Sequence, residues 1–190
     1  MEMRAPVVFL DRDGTINEEV GYLRDPALLR LIPGAAEGIR ALNQAGFKVV
    51  VITNQSGLAR GYFSLATLEE IHRELERQLA SHGARIDAIY FCPHHPEEGC
   101  LCRKPRSGLI ERAVRELDLD LSQAYVVGDR HLDLLLARNI GAKGVLVLTG
   151  YGREELSLCL PKMGLFPDIL AKDLKEAAGL IIADYEDSHR

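Results

Sequence analysis

Short runs rich in β-branched residues recur at positions 7–10, 48–53, 86–91, 124–127 and 144–148, with longer segments of helical spacing between them. Runs this short and apolar read as strands buried on both faces. Between them, Ala35, Ile39 and Leu42 share one face of 35–45, and Leu65, Leu68, Ile71, Leu75 and Leu79 share one face of 65–81. Both segments read as amphipathic helices. Leu109, Ile110, Ala113, Val114 and Leu117 predict a third helix behind Ser107, and 133–139 a shorter fourth. Strand and helix therefore alternate, which points to an α/β fold with a parallel sheet covered by helices on both faces. Such sheets bind ligands beyond the carboxyl ends of their strands, so function is to be sought there.

All of those ends are polar. The first strand leads into Asp11-Arg12-Asp13-Gly14-Thr15, the second into Thr53-Asn54-Gln55-Ser56-Gly57, the third into a Cys/His segment and the fourth into Gly128-Asp129. On an extended backbone Asp11 and Asp13 face the same way. Their charges repel, and Mg²⁺, a hard cation held by one or two carboxylates plus substrate phosphate, resolves the conflict. Alone, Asp-x-Asp-Gly reads first as a turn with a capping aspartate. The carboxylate of Asp129, the ammonium of Lys104 and the hydroxyl of Thr53 at the other strand ends weigh against that plainer reading.

The third segment, from Cys92 through His94, His95 and Cys100 to Cys102, offers three thiolates and an imidazole, the donor set of a closed structural zinc site. The expected Zn²⁺ ligands are Cys92, His94, Cys100 and Cys102, with His95 as the alternative to His94. Pro, Glu and Gly fill the segment without apolar periodicity, which makes three free buried thiols the weaker reading. Structural zinc contributes ~10–16 kcal/mol of apparent binding free energy in small peptides, enough to order a loop that has no core. Arg103 and Lys104 follow at once, so the metal would hold rigid the loop that presents them. Cys159 lies apart and reads as a small, partly buried residue.

At 190 residues the chain fits one domain over 1–190, with its core at about 7–150 and a C-terminal strand, helix and tail over 151–190. Residues 166–170 read as a last strand, 173–182 as a helix, and 183–190 as a polar, loose tail. Twenty-three basic against 28 acidic residues give a net charge of −5, which argues against nucleic acid as a partner. No apolar run approaches the ~18 residues of a spanning helix, so no membrane span is expected. The opening MEMRAPVVFLDRDG lacks the pattern of a signal peptide, and the expected compartment is the cytoplasm.

Together DRDGT, TN, Lys104 and GDxxxD resemble the four motifs of the haloacid dehalogenase (HAD) superfamily, over about 7–150. The resemblance implies a single HAD-like Rossmannoid domain. No insertion is long enough for a folded cap, so the loops at 17–24, 54–63 and 92–106 would set selectivity. It implies that Asp11 is the nucleophile, forming an aspartyl-phosphate, and that Asp13 is the general acid and base. Mg²⁺ would be held by Asp11, the backbone carbonyl of Asp13, and Asp129, while Thr53 and Lys104 hold the phosphoryl oxygens. Asp133 is left open between support behind the site and a solvated helix start.

Asp13 also separates branches of the superfamily, because a halide leaves without a proton whereas the alkoxide of a phosphate ester needs one. A phosphatase or phosphotransferase is therefore expected. The strings DRDGTIN, TNQSGLARGYF and CPHHPEEGCLCRKP resemble the zinc-loop branch, whose members act on a sugar bisphosphate or on histidinol phosphate. The stretch from Ser56 to Phe63 and Gly21-Tyr22 favour the sugar bisphosphate, although the stretch between His95 and Cys100 is shorter than in some members. Two phosphates call for cations beyond Lys104. Arg103, Arg60 and Arg130, with Asn54, are the candidate substrate-binding residues, and Arg60 and Arg130 read equally well as surface charges. A monomer acting on a small molecule is expected. From another class, a receiver domain also carries phosphate on aspartate, but its acceptor follows the third strand, whereas here Asp-x-Asp follows the first.

Overall fold

A computed structural model describes residues 5–189; the ends of the expected 1–190 domain, residues 1–4 and Arg190, lie outside the described residues. β1 (Val7–Leu10) sits inside a six-stranded parallel sheet. β2 (Lys48–Asn54) and β3 (Ala88–Cys92) flank it on one side, and β4 (Ala124–Gly128), β5 (Lys143–Val147) and β6 (Ile169–Ala171) on the other. The chain crosses β1 between β3 and β4, so the winding reverses at the boundary of β1 and β4, where open α/β sheets form their ligand crevice. There the N–H of Asp11 donates to Val127 O at 2.9 Å, locking the end of β1 to β4.

Among the described residues, α1 (Ala35–Gln44), α2 (Leu65–Ser81), α3 (Gly108–Leu117), α4 (His131–Ile140), α5 (Gly152–Glu154) and α6 (Leu160–Met163) lie between strands, and α7 (Leu174–Asp187) follows the last one. The pleat sends Val8, Leu10, Val49, Val51 and Val127 to one face, beneath α1, α2 and α7. Val7, Phe9, Val50, Ile52 and Val126 meet α3 and α4 on the other. Each fully buried side chain of this kind contributes ~1.5–3 kcal/mol, and all four residues of β1 are buried. Caps set the helix limits: Ser64 accepts the N–H of Thr67 at 3.1 Å to start α2, and Gly141 ends α4 with a left-handed φ of 71°.

The structure departs from the sequence reading in four places. The last strand is Ile169–Ala171 rather than 166–170, because Phe166 is exposed and pairing with β5 begins only at Ile169. The third strand is Ala88–Cys92 rather than 86–91, which pairs Cys92 with Asn54 and puts the first thiol of the cluster in the sheet. The helical stretch of α5, a π-helical turn at Glu155–Cys159 and α6 was not anticipated, because the π turn and Pro161 break the 3.6-residue period. The tail is also held rather than loose as far as Asp187. Tyr185 packs on Phe47 with ring centroids 5.1 Å apart, and Asp184 accepts from the hydroxyl of Tyr125 at 2.5 Å and from Lys143 Nζ at 2.6 Å.

Candidate active site

β1 ends in a turn that needs Gly14: its φ is 81°, and a Cβ there would collide with the carboxylate of Asp129. That close approach brings the ends of β1 and β4 together. Lys104, only 4% exposed, reaches between them with Nζ 2.9 Å from Asp11 Oδ1 and 2.7 Å from Asp133 Oδ1. Its ammonium is held charged against burial by those two carboxylates, which raise its pKa. Asn54, at the end of β2, accepts the N–H of Lys104 at 3.0 Å and donates to its carbonyl at 3.4 Å. Asn54 lines the cavity, but its amide is committed to the backbone that carries Lys104. Asp133 is 1% exposed and also accepts the N–H of Arg130, so it is not a solvated helix start.

Asp13 is turned to different partners. Its carboxylate accepts from Arg12 Nη2 at 2.9 and 3.0 Å, Arg12 Nε at 3.2 Å, Asn17 Nδ2 at 3.0 Å and Gln55 Nε2 at 3.0 Å. Burial pushes its pKa up, but the charge of Arg12 and the donated hydrogen bonds outweigh burial and hold it below the usual value. Gln55 Nε2 also donates to Thr53 Oγ1 at 2.8 Å, leaving the hydroxyl proton of Thr53 for another acceptor. Sequence reasoning assigned no role to Arg12, Asn17 or Gln55; their position beside the Asp-x-Asp and Thr53 was the available signal.

These groups surround a cavity of about 290 Å³ lined by Asp11, Asp13, Thr53, Asn54, Arg60, Arg103, Lys104 and Arg130, together with Glu19, Tyr22 and Tyr151. Every candidate binding and catalytic residue from the sequence thus reaches one space the size of a small metabolite. Arg60 is exposed at its rim. The guanidinium of Arg130 lies 4.4 Å from the centroid of the Tyr151 ring and 3.7 Å from Glu155. Among the described residues, the buried polar side-chain atoms without a partner are Thr15 Oγ1, Asn17 Oδ1, Arg103 Nη1 and Asp129 Oδ1. Of these, Arg103 lines the cavity and Asp129 stands in the carboxylate cluster beneath it.

One oxygen from each of Asp11, Asp129 and Asp133 comes within 4.8 Å of the others. Asp129 Oδ2 accepts the N–H of Tyr151 at 2.8 Å, so its unpartnered Oδ1 is the atom left to take a cation, and this all-oxygen set suits Mg²⁺. Burial raises Asp11 to about 7, with Lys104 opposing and Asp133 adding, and raises Asp129 to about 8 with help from Asp11 and Asp133. Folded pKa values above the unfolded 3.8 make a contribution to stability that is complete below that pH and is lost as pH rises through 7 to 8. A divalent cation offsets the loss. Thermal unfolding without Mg²⁺ should therefore give a Tm that falls between pH 6 and 8.5, and Mg²⁺ should raise Tm more at pH 8.5 than at pH 6. A Mg²⁺-induced shift independent of pH would contradict the assignment.

In the third loop, Cys92 Sγ, His94 Nδ1, Cys100 Sγ and Cys102 Sγ form a second cluster with neighbouring separations of 3.1 to 3.6 Å. All the cysteines are free thiols. Four N/S donors at such spacing match a tetrahedron around Zn²⁺, with its bonds of about 2.0–2.3 Å. His95 turns away: its Nδ1 accepts the N–H of Glu97 and its own N–H donates to Glu98.

A carboxylate pair after the first strand, a hydroxyl at the end of the second, a buried lysine after the third and an acid after the fourth, on a sheet that reverses between β1 and β4, define the chain as a phosphatase of the HAD superfamily. The HAD-hydrolase-like family model matches residues 101–177, and the polynucleotide kinase 3 phosphatase model matches residues 22–132. Among curated proteins, the D-glycero-D-manno-heptose-1,7-bisphosphate 7-phosphatase of Thermosynechococcus vestitus is 44% identical over 186 residues, 92% of this chain and 94% of the relative. The corresponding Pseudomonas putida phosphatase is 41% identical over 171 residues, 90% and 98% of the two chains. The crystal structure of the D,D-heptose 1,7-bisphosphate phosphatase from B. bronchiseptica, complexed with magnesium and phosphate, superposes with a TM-score of 0.86 at 39% identity, covering 94% of this chain and 98% of the other. The chain belongs to the D-glycero-D-manno-heptose-1,7-bisphosphate 7-phosphatase family.

Proposed function

We propose that this chain hydrolyses the C7 phosphate of D-glycero-D-manno-heptose 1,7-bisphosphate, in the synthesis of heptose precursors for lipopolysaccharide or S-layers. The reading is carried by one cavity that joins Asp11, Asp13, Thr53 and Lys104 in a chain similar over nine-tenths of its length to phosphatases named for that substrate.

In this reading Asp11 attacks phosphorus, forming the acyl phosphate as the bond to the C7 oxygen breaks. Asp13 delivers a proton to that oxygen; the incoming phosphoryl charge raises its proton affinity above that of the substrate-free site. In the second step Asp13 takes a proton from the water that attacks phosphorus, which releases phosphate and restores Asp11. Lys104 offsets the charge of Asp11 beside the phosphoryl group, and the hydroxyl of Thr53 donates to one of its oxygens. Asp11, the backbone carbonyl of Asp13, and Asp129 would hold Mg²⁺, which supplies charge neutralisation between carboxylates and phosphoryl oxygens. Cys92, His94, Cys100 and Cys102 would hold a structural Zn²⁺ that keeps Arg103 and Lys104 in place. Thiolate ligands and free cysteines suit the reducing cytoplasm. Among the described residues no helix is long and apolar enough to cross a membrane. A monomer suffices, because one chain supplies every group.

Arg103 is the cation read as taking substrate oxygens away from the transferred group: it lines the cavity and its buried Nη1 has no partner. Arg103→Lys keeps the charge and loses the planar fork. For the bisphosphate kcat/KM should fall on the order of 10- to 100-fold, ~1.4–2.7 kcal/mol. A simple aryl phosphate should lose much less, and equal losses on both would move Arg103 to the transferred phosphate. The function itself is tested by steady-state comparison of heptose 1,7-bisphosphate, histidinol phosphate and fructose 1,6-bisphosphate with and without Mg²⁺. Highest kcat/KM on the heptose, dependent on Mg²⁺, is expected; preference for histidinol phosphate would overturn the assignment.

A further inference from the structure

The side chain between the two site aspartates is an arginine with no exposed surface. Alternation along the strand end sends Arg12 away from Asp11, towards α2, and its guanidinium folds back to grip both oxygens of Asp13. The remaining nitrogen, Nη1, lies 3.1 Å from Nε2 of His72, a 9%-exposed residue on α2 whose ring rests 5.9 Å from that of Phe91. Guanidinium can only donate, so Nε2 must present a lone pair and the ring proton must sit on Nδ1. Burial, reinforced by the charge of Arg12, pushes His72 down to about 3 and keeps that ring neutral. A neutral acceptor is well suited here, because it fixes the plane of the guanidinium without drawing its charge away from Asp13.

We propose that Arg12 and His72 are positioning residues for proton transfer: the imidazole braces the guanidinium, and the guanidinium fixes the Asp13 carboxyl at the point from which it protonates the leaving oxygen. The inference rests on the reading of Asp13 as the proton donor. It also assigns a use to a buried histidine on the apolar face of a helix, where packing alone would favour a leucine.

The step at issue moves a proton from Asp13 to the departing alkoxide as the phosphorus–oxygen bond breaks, so its importance grows as the leaving group becomes more basic. The test is kcat/KM, which reports events up to formation of the phosphoenzyme, measured on an alkyl phosphate and on dinitrophenyl phosphate. His72→Leu should lose about 10-fold more on the alkyl ester than on the aryl ester, a fraction of the ~10²–10⁴-fold supplied by a whole general acid. His72→Gln, which restores an acceptor, should recover most of the difference. Arg12→Lys keeps a cation but cannot hold Asp13 and His72 together; it should show the same selective loss and serves as the comparison if His72→Leu does not fold. Equal losses on both esters, or none, would reduce the pair to structural packing and overturn the proposal. Asp13→Asn, run in parallel, separates the two ideas. A selective loss there without one in the His72 and Arg12 variants refutes the positioning role alone, whereas no selectivity in Asp13→Asn refutes the acid reading and the proposal with it.

Discussion

Asp11→Asn should lower kcat more than 100-fold, ~2.7 kcal/mol or more of barrier, while the protein folds at least as stably as the parent. The amide has no anionic oxygen with which to attack phosphorus, yet it can still accept from the N–H of Arg12 and from Lys104 Nζ, now at 2.8 and 2.9 Å from Asp11 Oδ1. It also removes one charge from a cluster in which burial has already raised Asp11 to about 7. Thermal unfolding without Mg²⁺ should therefore show an equal or higher Tm at pH 8. A variant that kept more than about a hundredth of the parent rate would end the covalent mechanism.

Lys104→Met should damage both stability and turnover. The lysine is nearly buried between Asp11 and Asp133, and its loss leaves those two and Asp129 clustered within 4.8 Å without their ammonium. Breaking a buried ion pair from one side costs ~3–5 kcal/mol, because the stranded charges keep their desolvation penalty. For a domain of this size that is a fall in Tm of roughly 6–20 °C near neutral pH. The fall should shrink at pH 5, where the stranded carboxyls take up protons, and in high Mg²⁺. Removing one stabiliser of phosphoryl charge should also lower kcat on the order of 10²–10³-fold. A Tm within 2 °C of the parent at pH 8 would show that Lys104 is not the counter-ion of this cluster.

The parts of the molecule legible in the sequence are those governed by local pattern. β1 is buried on both faces, so its apolar run ends where the strand does, and Asp11 marks the limit. Three cysteines and a histidine crowded into one segment without apolar periodicity declare a cluster by composition alone. How the polar side chains use one another was not legible, because that depends on which loops meet. Asp13 faces Arg12, Asn17 and Gln55, contributed by two different loops. Asn54 binds backbone fifty residues away. Asp133 stayed open and His72 drew no reading, because only burial against Lys104 and Arg12 separates them from solvated polar residues of a helix. The C-terminal helix outran its apolar pattern because Asp184 and Tyr185 are anchored to distant side chains rather than to a periodic face.

The most direct measurement is the identity of the product. Heptose 1,7-bisphosphate incubated with the enzyme and Mg²⁺ should, by ³¹P NMR, lose the resonance of the C7 phosphomonoester and gain inorganic phosphate while the C1 phosphate stays intact. Loss of the C1 phosphate, or both resonances unchanged under conditions where an aryl phosphate is hydrolysed, would contradict the account.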